Sequence, residues 1–220
     1  MTLQPTTSTE EAGLSTRRIE AFSDGVFAIV ITLMAFQIKA PHPTATELPG
    51  VLKAELLQLG PIFYSYALSF LMVGVYWIGH HNAYHHIIRT NRTLLWLNLV
   101  SLMLVALLPF STFLLGNHWA AQPAVVVYSL NIILIGFANF SQWFYATRIA
   151  HLAEPNLEEW FVKSADRRLM VGPGISLIAI FISFFNVPAA ALCFAFILIY
   201  HMLPAMIDRH SRKTRKSRKT

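Results

Sequence analysis

The sequence predicts an all-α integral membrane protein with six transmembrane helices, on three observations. Hydrophobic residues make up 55% of the 220-residue chain and charged residues only 13%, against about 25% charged in an ordinary soluble domain. Asp, Glu, Lys and Arg are absent from 56–88, from 93–147 and from 169–207. About 20 apolar residues span the hydrocarbon core, so these runs hold one span with surplus, two spans, and two short spans. Finally, the basic residues divide unevenly between the two sides that six spans create.

The elements follow in order. Residues 1–16 are polar, Thr-rich and acidic. They lack the basic-then-apolar order of a signal peptide and read as a disordered tail. The six-helix domain is expected over 17–208. Helix 1 covers 17–38 and stops before Pro41-His42-Pro43, where two prolines forbid continuation. The stretch 48–60 reads as a short interfacial segment, and helix 2 covers 61–86. Helix 3 covers 92–115. Gly116-Asn117-His118-Trp119 then leads to the turn signal Pro123, where helix 4 begins and runs to 147. The polar stretch 148–167 separates it from helices 5 and 6, which share 169–207 and split near Asn186-Val187-Pro188. Gly172-Pro173-Gly174 reads as a kink or a helix start. A basic cytoplasmic tail, 209–220, ends the chain.

With six spans, both termini and the 2–3 and 4–5 connections share one side. That side collects fifteen basic residues, including Arg17, Arg18, Arg89, Arg92, Arg148 and Lys163. The other side has Lys39 and Lys53. Basic residues stay cytoplasmic, so both termini are expected there. The net charge of +6 raises nucleic-acid binding. A basic tail directly after a span reads instead as a topology signal that attracts anionic lipid, so no nucleic-acid partner is expected. The single cysteine, Cys193, excludes an intrachain disulfide and a cysteine-based metal cluster.

Helix 1 is the odd element. It has only 14 charge-free residues, 25–38, too few to cross alone, so Asp24 is drawn into or to the edge of the bilayer. An ionisable group there is costly and needs a partner. Arg18, Trp77 and the histidines ending helix 2 are the candidates. At 100° per residue, Phe22, Ile29, Leu33 and Phe36 fall on one narrow face. Asp24 lies roughly 140° around from Ile29. Spacing alone reads that apolar stripe as packing against neighbouring helices or lipid.

Arg18-Ile19-Glu20-Ala21-Phe22-Ser23-Asp24 resembles the R-x-x-x-F-S-D signature that opens the first helix of the transmembrane protein 175 family of potassium channels. Trp77-Ile78-Gly79-His80-His81 is similar to the W-x-x-H-H stretch ending the second helix of its prokaryotic members. The resemblance implies a homotetramer with helix 1 of each subunit lining a central pore. It implies rings at Ile29, Leu33 and Phe36, with Ile29 narrowest, and a hydroxyl layer at Thr32. Bacterial relatives often carry an aliphatic residue where Phe36 stands, and whether Phe36 narrows the pore stays open. Arg18, Phe22, Ser23, Asp24, Trp77, His80 and His81 would form a network tying helix 1 to its neighbours. The alternative is that Asp24 merely caps the helix start. No T-V-G-Y-G filter is present. An apolar constriction instead makes an ion shed part of its shell, which costs potassium less than sodium, and such constrictions also gate by dewetting. The resemblance thus implies a potassium-selective channel, in the plasma membrane if the cell is prokaryotic, with membrane lipid, potassium and other monovalent cations as partners and no cofactor.

Two other classes compete. A proton-coupled transporter or proton-permeable channel would use Asp24 and the helix-2 histidines as a relay. His81-x-x-x-His85-His86 also resembles one histidine box of membrane di-iron enzymes. That chemistry needs several boxes on one side, and His42, His118, His151, His201 and His210 are isolated. Neither a catalytic site nor a metal site is therefore expected.

Overall fold

The computed structural model describes residues 16–40 and 50–202. The expected N-terminal tail, the Pro41-His42-Pro43 stop and the basic tail 209–220 lie outside the described residues, apart from Thr16, which is helical. The helices are α1 (Thr16–Ala35), α2 (Gly50–Gln58), α3 (Gly60–His86), α4 (Arg92–Ala106), α5 (Leu108–Asn117), α6 (Gln122–Phe144), α7 (Glu159–Ser183) and α8 (Val187–Met202). A π-helical turn, Tyr145–Ile149, extends α6. Prolines open several of them: Pro61, Pro109 and Pro123 sit in the first turns of α3, α5 and α6, where a missing N–H costs nothing. Asn91 caps α4 by accepting from the Leu94 N–H at 2.9 Å, and Asn186 caps α8 through the Ala189 N–H at 3.0 Å.

Three segments, Val51–His86, Arg92–Asn117 and Gln122–Ile149, are long and apolar enough to cross a membrane by length and composition. α8 is a shorter apolar helix. α1 and α7 carry charged residues in their N-terminal halves and pack into the same bundle, α1 on α3 and α4, α7 on α6 and α8. One core, containing Phe27, Val30, Met34, Met72, Val105 and Phe194, joins all of these helices. A second cluster of Ile19, Tyr84, Ile87, Leu94, Ala146 and Leu152 seals one end. There an antiparallel bridge pairs Ile87 with Ala153, tying the α3–α4 turn to the loop before α7. His151 in that loop takes φ 48°, and the Arg89 side chain donates to its carbonyl at 3.1 Å.

The structure corrects the expected elements in three places. Helix 1 stops at Ala35, not at 38. Phe36, Gln37 and Ile38 follow in tight i→i+3 turns, so Phe36 lies beyond the helix. The third span breaks at Leu107, because Pro109 has no N–H to return to Val105; the Leu107 N–H closes on Leu104 and Val105 instead. The fifth helix begins at Glu159, inside the stretch expected to be a polar separator, and Pro173 sits in its interior. Gly136 explains why Pro173 is tolerated. A Cβ at Gly136 would stand 2.7 Å from Pro173 Cδ and 3.3 Å from the Leu169 carbonyl, so α6 and α7 pack together only because Gly136 has none. The Leu169 oxygen, deprived of its usual i+4 donor by Pro173, faces that glycine.

Candidate pore helix and its anchoring network

α1 divides cleanly by burial. Ile19, Ser23, Phe27, Val30 and Met34 are buried, and their i, i+4, i+7 spacing forms one stripe. Phe22, Ile29 and Leu33 form another, rotated about 100° away by helical geometry, with Phe36 just past its end. Ile29 is 59% exposed, Leu33 47% and Phe36 80%. The protomer therefore leaves the second stripe uncovered. Thr32 is also exposed, and its hydroxyl donates within its own helix, to the carbonyls of Ala28 at 3.1 Å and Ile29 at 2.9 Å. The end of the helix is tethered, since the Gln37 amide donates to the Pro109 carbonyl at the α4–α5 break.

Two polar branches anchor α1. In the first, the Trp77 indole N–H donates to Asp24 Oδ1 at 2.8 Å, and His81 stacks on the Trp77 ring with centroids 5.8 Å apart. Asp24 sits in the third turn of a helix that starts at Thr16, so it does not cap. In the second, Asn98 of α4 is the hub. Its Nδ2 donates to Ser23 Oγ at 3.1 Å. Its Oδ1 accepts from His80 Nε2 at 3.0 Å and from Gln142 Nε2 at 3.3 Å. Asn98 is only 2% exposed, and buried polar groups require such partners. The ring of His80 is held between Tyr84, stacked at 4.4 Å, and the edge of Phe27 at 5.7 Å. Below the hub, Ser101 donates to Asn139 at 2.6 Å and Ser111 to Asn131 at 3.0 Å. Thr112 donates to Ser69 at 2.8 Å, and Ser69 pairs with the Tyr128 hydroxyl at 2.9 Å.

Among the residues singled out from sequence, the structure joins Asp24 to Trp77 and Trp77 to His81, and it joins Ser23 to His80 only through Asn98. Arg18 is exposed and has no hydrogen bond among the described residues. Phe22 points away from both branches and is exposed. The two branches are not connected by a hydrogen bond among the described residues, so Asp24 and His80 do not form a relay. His86 pairs with Glu154 at 3.3 Å, and no group of three His, Cys, Asp or Glu that could hold a metal is present among the described residues. No motif in the sequence singles out Asn98 or Gln142. The available signal was their polarity within a charge-free run of 93–147.

Fold and site together define a polytopic α-helical membrane protein in which the first helix is held by polar contacts on one side and left bare on another. The family model described as "Endosomal/lysosomal potassium channel TMEM175" matches residues 18–109. A potassium channel of Streptomyces collinus is 32% identical over 84% of this chain and 90% of its own. One from Chamaesiphon minutus is 33% identical over 84% of this chain and 93% of its own. The crystal structure of a lysosomal potassium-selective channel TMEM175 homolog from Chamaesiphon minutus superposes with a TM-score of 0.75, at 33% identity, over 86% of this chain and 97% of that one. The chain belongs to the TMEM175 family.

Proposed function

We propose that this protein is a potassium-selective channel that assembles as a homotetramer, with α1 of each subunit lining a central pore. The observation that carries the reading is its family membership, through relatives that are named potassium channels and align over nearly their whole length. The uncovered stripe on α1 supports it. Ile29 and Leu33 are large apolar side chains that the protomer leaves about half exposed. Four copies facing an axis would form apolar rings there, narrowest at Ile29, with Phe36 just past the helix end. Such a constriction favours the ion that gives up its water shell most readily. The Thr32 oxygen spends its proton on the helix and keeps acceptor capacity for a cation. The bonds of Ser23 to Asn98 and of Asp24 to Trp77 set the rotation of the stripe. Potassium is the permeant ion, lipid the surrounding partner, and no cofactor takes part. The fifteen-to-two division of basic residues supports cytoplasmic termini, in the plasma membrane of a prokaryotic cell.

The test is flux from purified protein reconstituted in liposomes. A potassium gradient is expected to drive passive, conductive flux that exceeds sodium flux under the same gradient. Folded tetramers that pass neither ion, or uptake that saturates and needs a pH gradient, would overturn the reading in favour of a transporter.

A further inference from the structure

α1 carries four charged residues, Arg17, Arg18, Glu20 and Asp24, and they do not share a face. At 100° per residue, Arg18 stands about 20° around from Ile29, on the exposed stripe. By the same geometry Glu20 lies about 160° from Arg18, Asp24 about 120° and Arg17 about 100°. Asp24 is moreover engaged by the Trp77 indole. The stripe thus presents a single sign of charge, at a point about 16 Å before Ile29 along the helix axis.

That charge is not cancelled nearby. Arg18 is exposed and has neither a hydrogen bond nor an ion pair among the described residues. The next turn of its own face holds Ala21 and Phe22, not an acid, so no i+3 or i+4 partner neutralises it. A guanidinium stays charged at any pH a cell meets. A cation in the first turn also works against the helix dipole, whose N-terminal end is itself positive. Helix stability therefore gives no reason for Arg18 to be there.

We propose that the Arg18 side chains of the four subunits ring the cytoplasmic mouth of the pore and thin the potassium there, so that the channel passes potassium inward more readily than outward. The inference rests on α1 lining the pore with its first turn on the cytoplasmic side. A basic ring is the reverse of the acidic rings that draw cations into pores. It lowers the local concentration of every monovalent cation alike. It therefore acts on the rate of entry from one side and not on the choice of potassium over sodium, which belongs to the apolar constriction. Four unit charges roughly 7 Å from an axis would lower the cation concentration there about fivefold at 0.15 M salt, and by under about twofold at 1 M, where screening is tighter. Potassium arriving from the far side reaches the constriction before it meets the ring, so its entry is held back less.

Single-channel currents in inside-out patches from cells making the full chain, with equal potassium on both faces, test the ring. At 0.15 M potassium the wild type is expected to pass up to about fivefold more inward than outward current at equal and opposite voltages, and the asymmetry should shrink to under about twofold at 1 M. Arg18→Gln should raise outward current about fivefold at 0.15 M. Arg18→Glu should reverse the asymmetry, and Arg18→Lys, which keeps the charge, should behave as the wild type. The ratio of potassium to sodium permeability should stay the same throughout. A wild-type asymmetry that is absent, or as large at 1 M as at 0.15 M, would overturn the ring without recourse to any variant. So would outward current indifferent to Arg18→Gln, the result expected of an arginine that merely holds α1 at the lipid headgroups. Ile29→Ala in the same patches separates this failure from failure of the pore itself. Altered discrimination at Ile29 with no effect at Arg18 overturns the ring alone. No effect at either position in a conducting channel overturns α1 as the pore helix, and the ring with it.

Discussion

Asn98 holds three helices with one amide. Its oxygen takes the N–H groups of His80 and Gln142, and its nitrogen reaches Ser23. Asn98→Leu preserves volume but leaves three polar partners buried without it. The expected loss is about 1–3 kcal/mol, read as a lower unfolding temperature in detergent. An unchanged temperature would mean that the three partners find new ones. Ser23→Ala removes one bond and is expected to cost about 0.5–1.5 kcal/mol, the scale of interhelical hydrogen bonds in membranes. At Asp24 the contrast is between two substitutions. Asp24→Asn keeps an oxygen for the Trp77 N–H, so tetramer yield by size-exclusion chromatography should survive better than in Asp24→Ala. The sequence showed that Asp24 needs a partner, and Trp77 was among the candidates. It did not show that Ser23 looks toward α4. Helical spacing gives the face of a residue, but which neighbour meets that face depends on how the bundle closes. A lone Asn in a long apolar run is the kind of residue that closure recruits.

At the scale of elements, the pairing of α6 and α7 depends on an absent side chain. Gly136 lies against the ring of Pro173 and the Leu169 carbonyl, neither of which can turn aside as a flexible side chain would. Gly136→Ala is therefore expected to overpack the contact and cost about 1–3 kcal/mol, measured by thermal unfolding. The same change at Gly25 or Gly174, where an added Cβ meets nothing within 4 Å, should leave the unfolding temperature within experimental error or raise it. Element positions were largely legible from charge-free runs and from the prolines that open α3 and α6. The differences have two causes, prolines and charge. Pro109 opens a helix and Pro173 sits within one, and a proline in sequence does not declare which. The start of α7 was hidden by its charged first half, since Glu159, Lys163, Asp166, Arg167 and Arg168 all belong to the helix. Lys163 and Glu159 pair at 2.6 Å one turn apart, which is the mark of a helix face and not of a loop.

For the whole molecule, the exposed stripe of α1 is one of several apolar faces that the protomer leaves for lipid or assembly to cover. If four copies turn it toward an axis, Ile29 sets the selectivity. Ile29→Asn or Ile29→Ala should admit water at the ring and bring potassium and sodium flux in liposomes toward equality. Unchanged discrimination in both variants would move the constriction elsewhere. The membrane class was readable without any relative, because composition and the basic asymmetry suffice. The direction in which the stripe faces was not, because a protomer carries no information about its axis.

The two anchors of α1 also impose an order in time. α1, bearing Arg17, Arg18, Glu20 and Asp24, leaves the ribosome before α3 and α4, since Trp77 lies 53 residues after Asp24 and Asn98 lies 75 residues after Ser23. At ~5–20 residues per second of synthesis, the second gap lasts about 4–15 s. During that interval Ser23 and Asp24 lack the mates they have in the folded protein, and the settling of α1 waits for α3 and α4 to arrive. A nascent chain arrested before Asn98 is thus expected to hold α1 shallowly at the membrane surface, and one arrested well beyond α4 to hold it fully inserted.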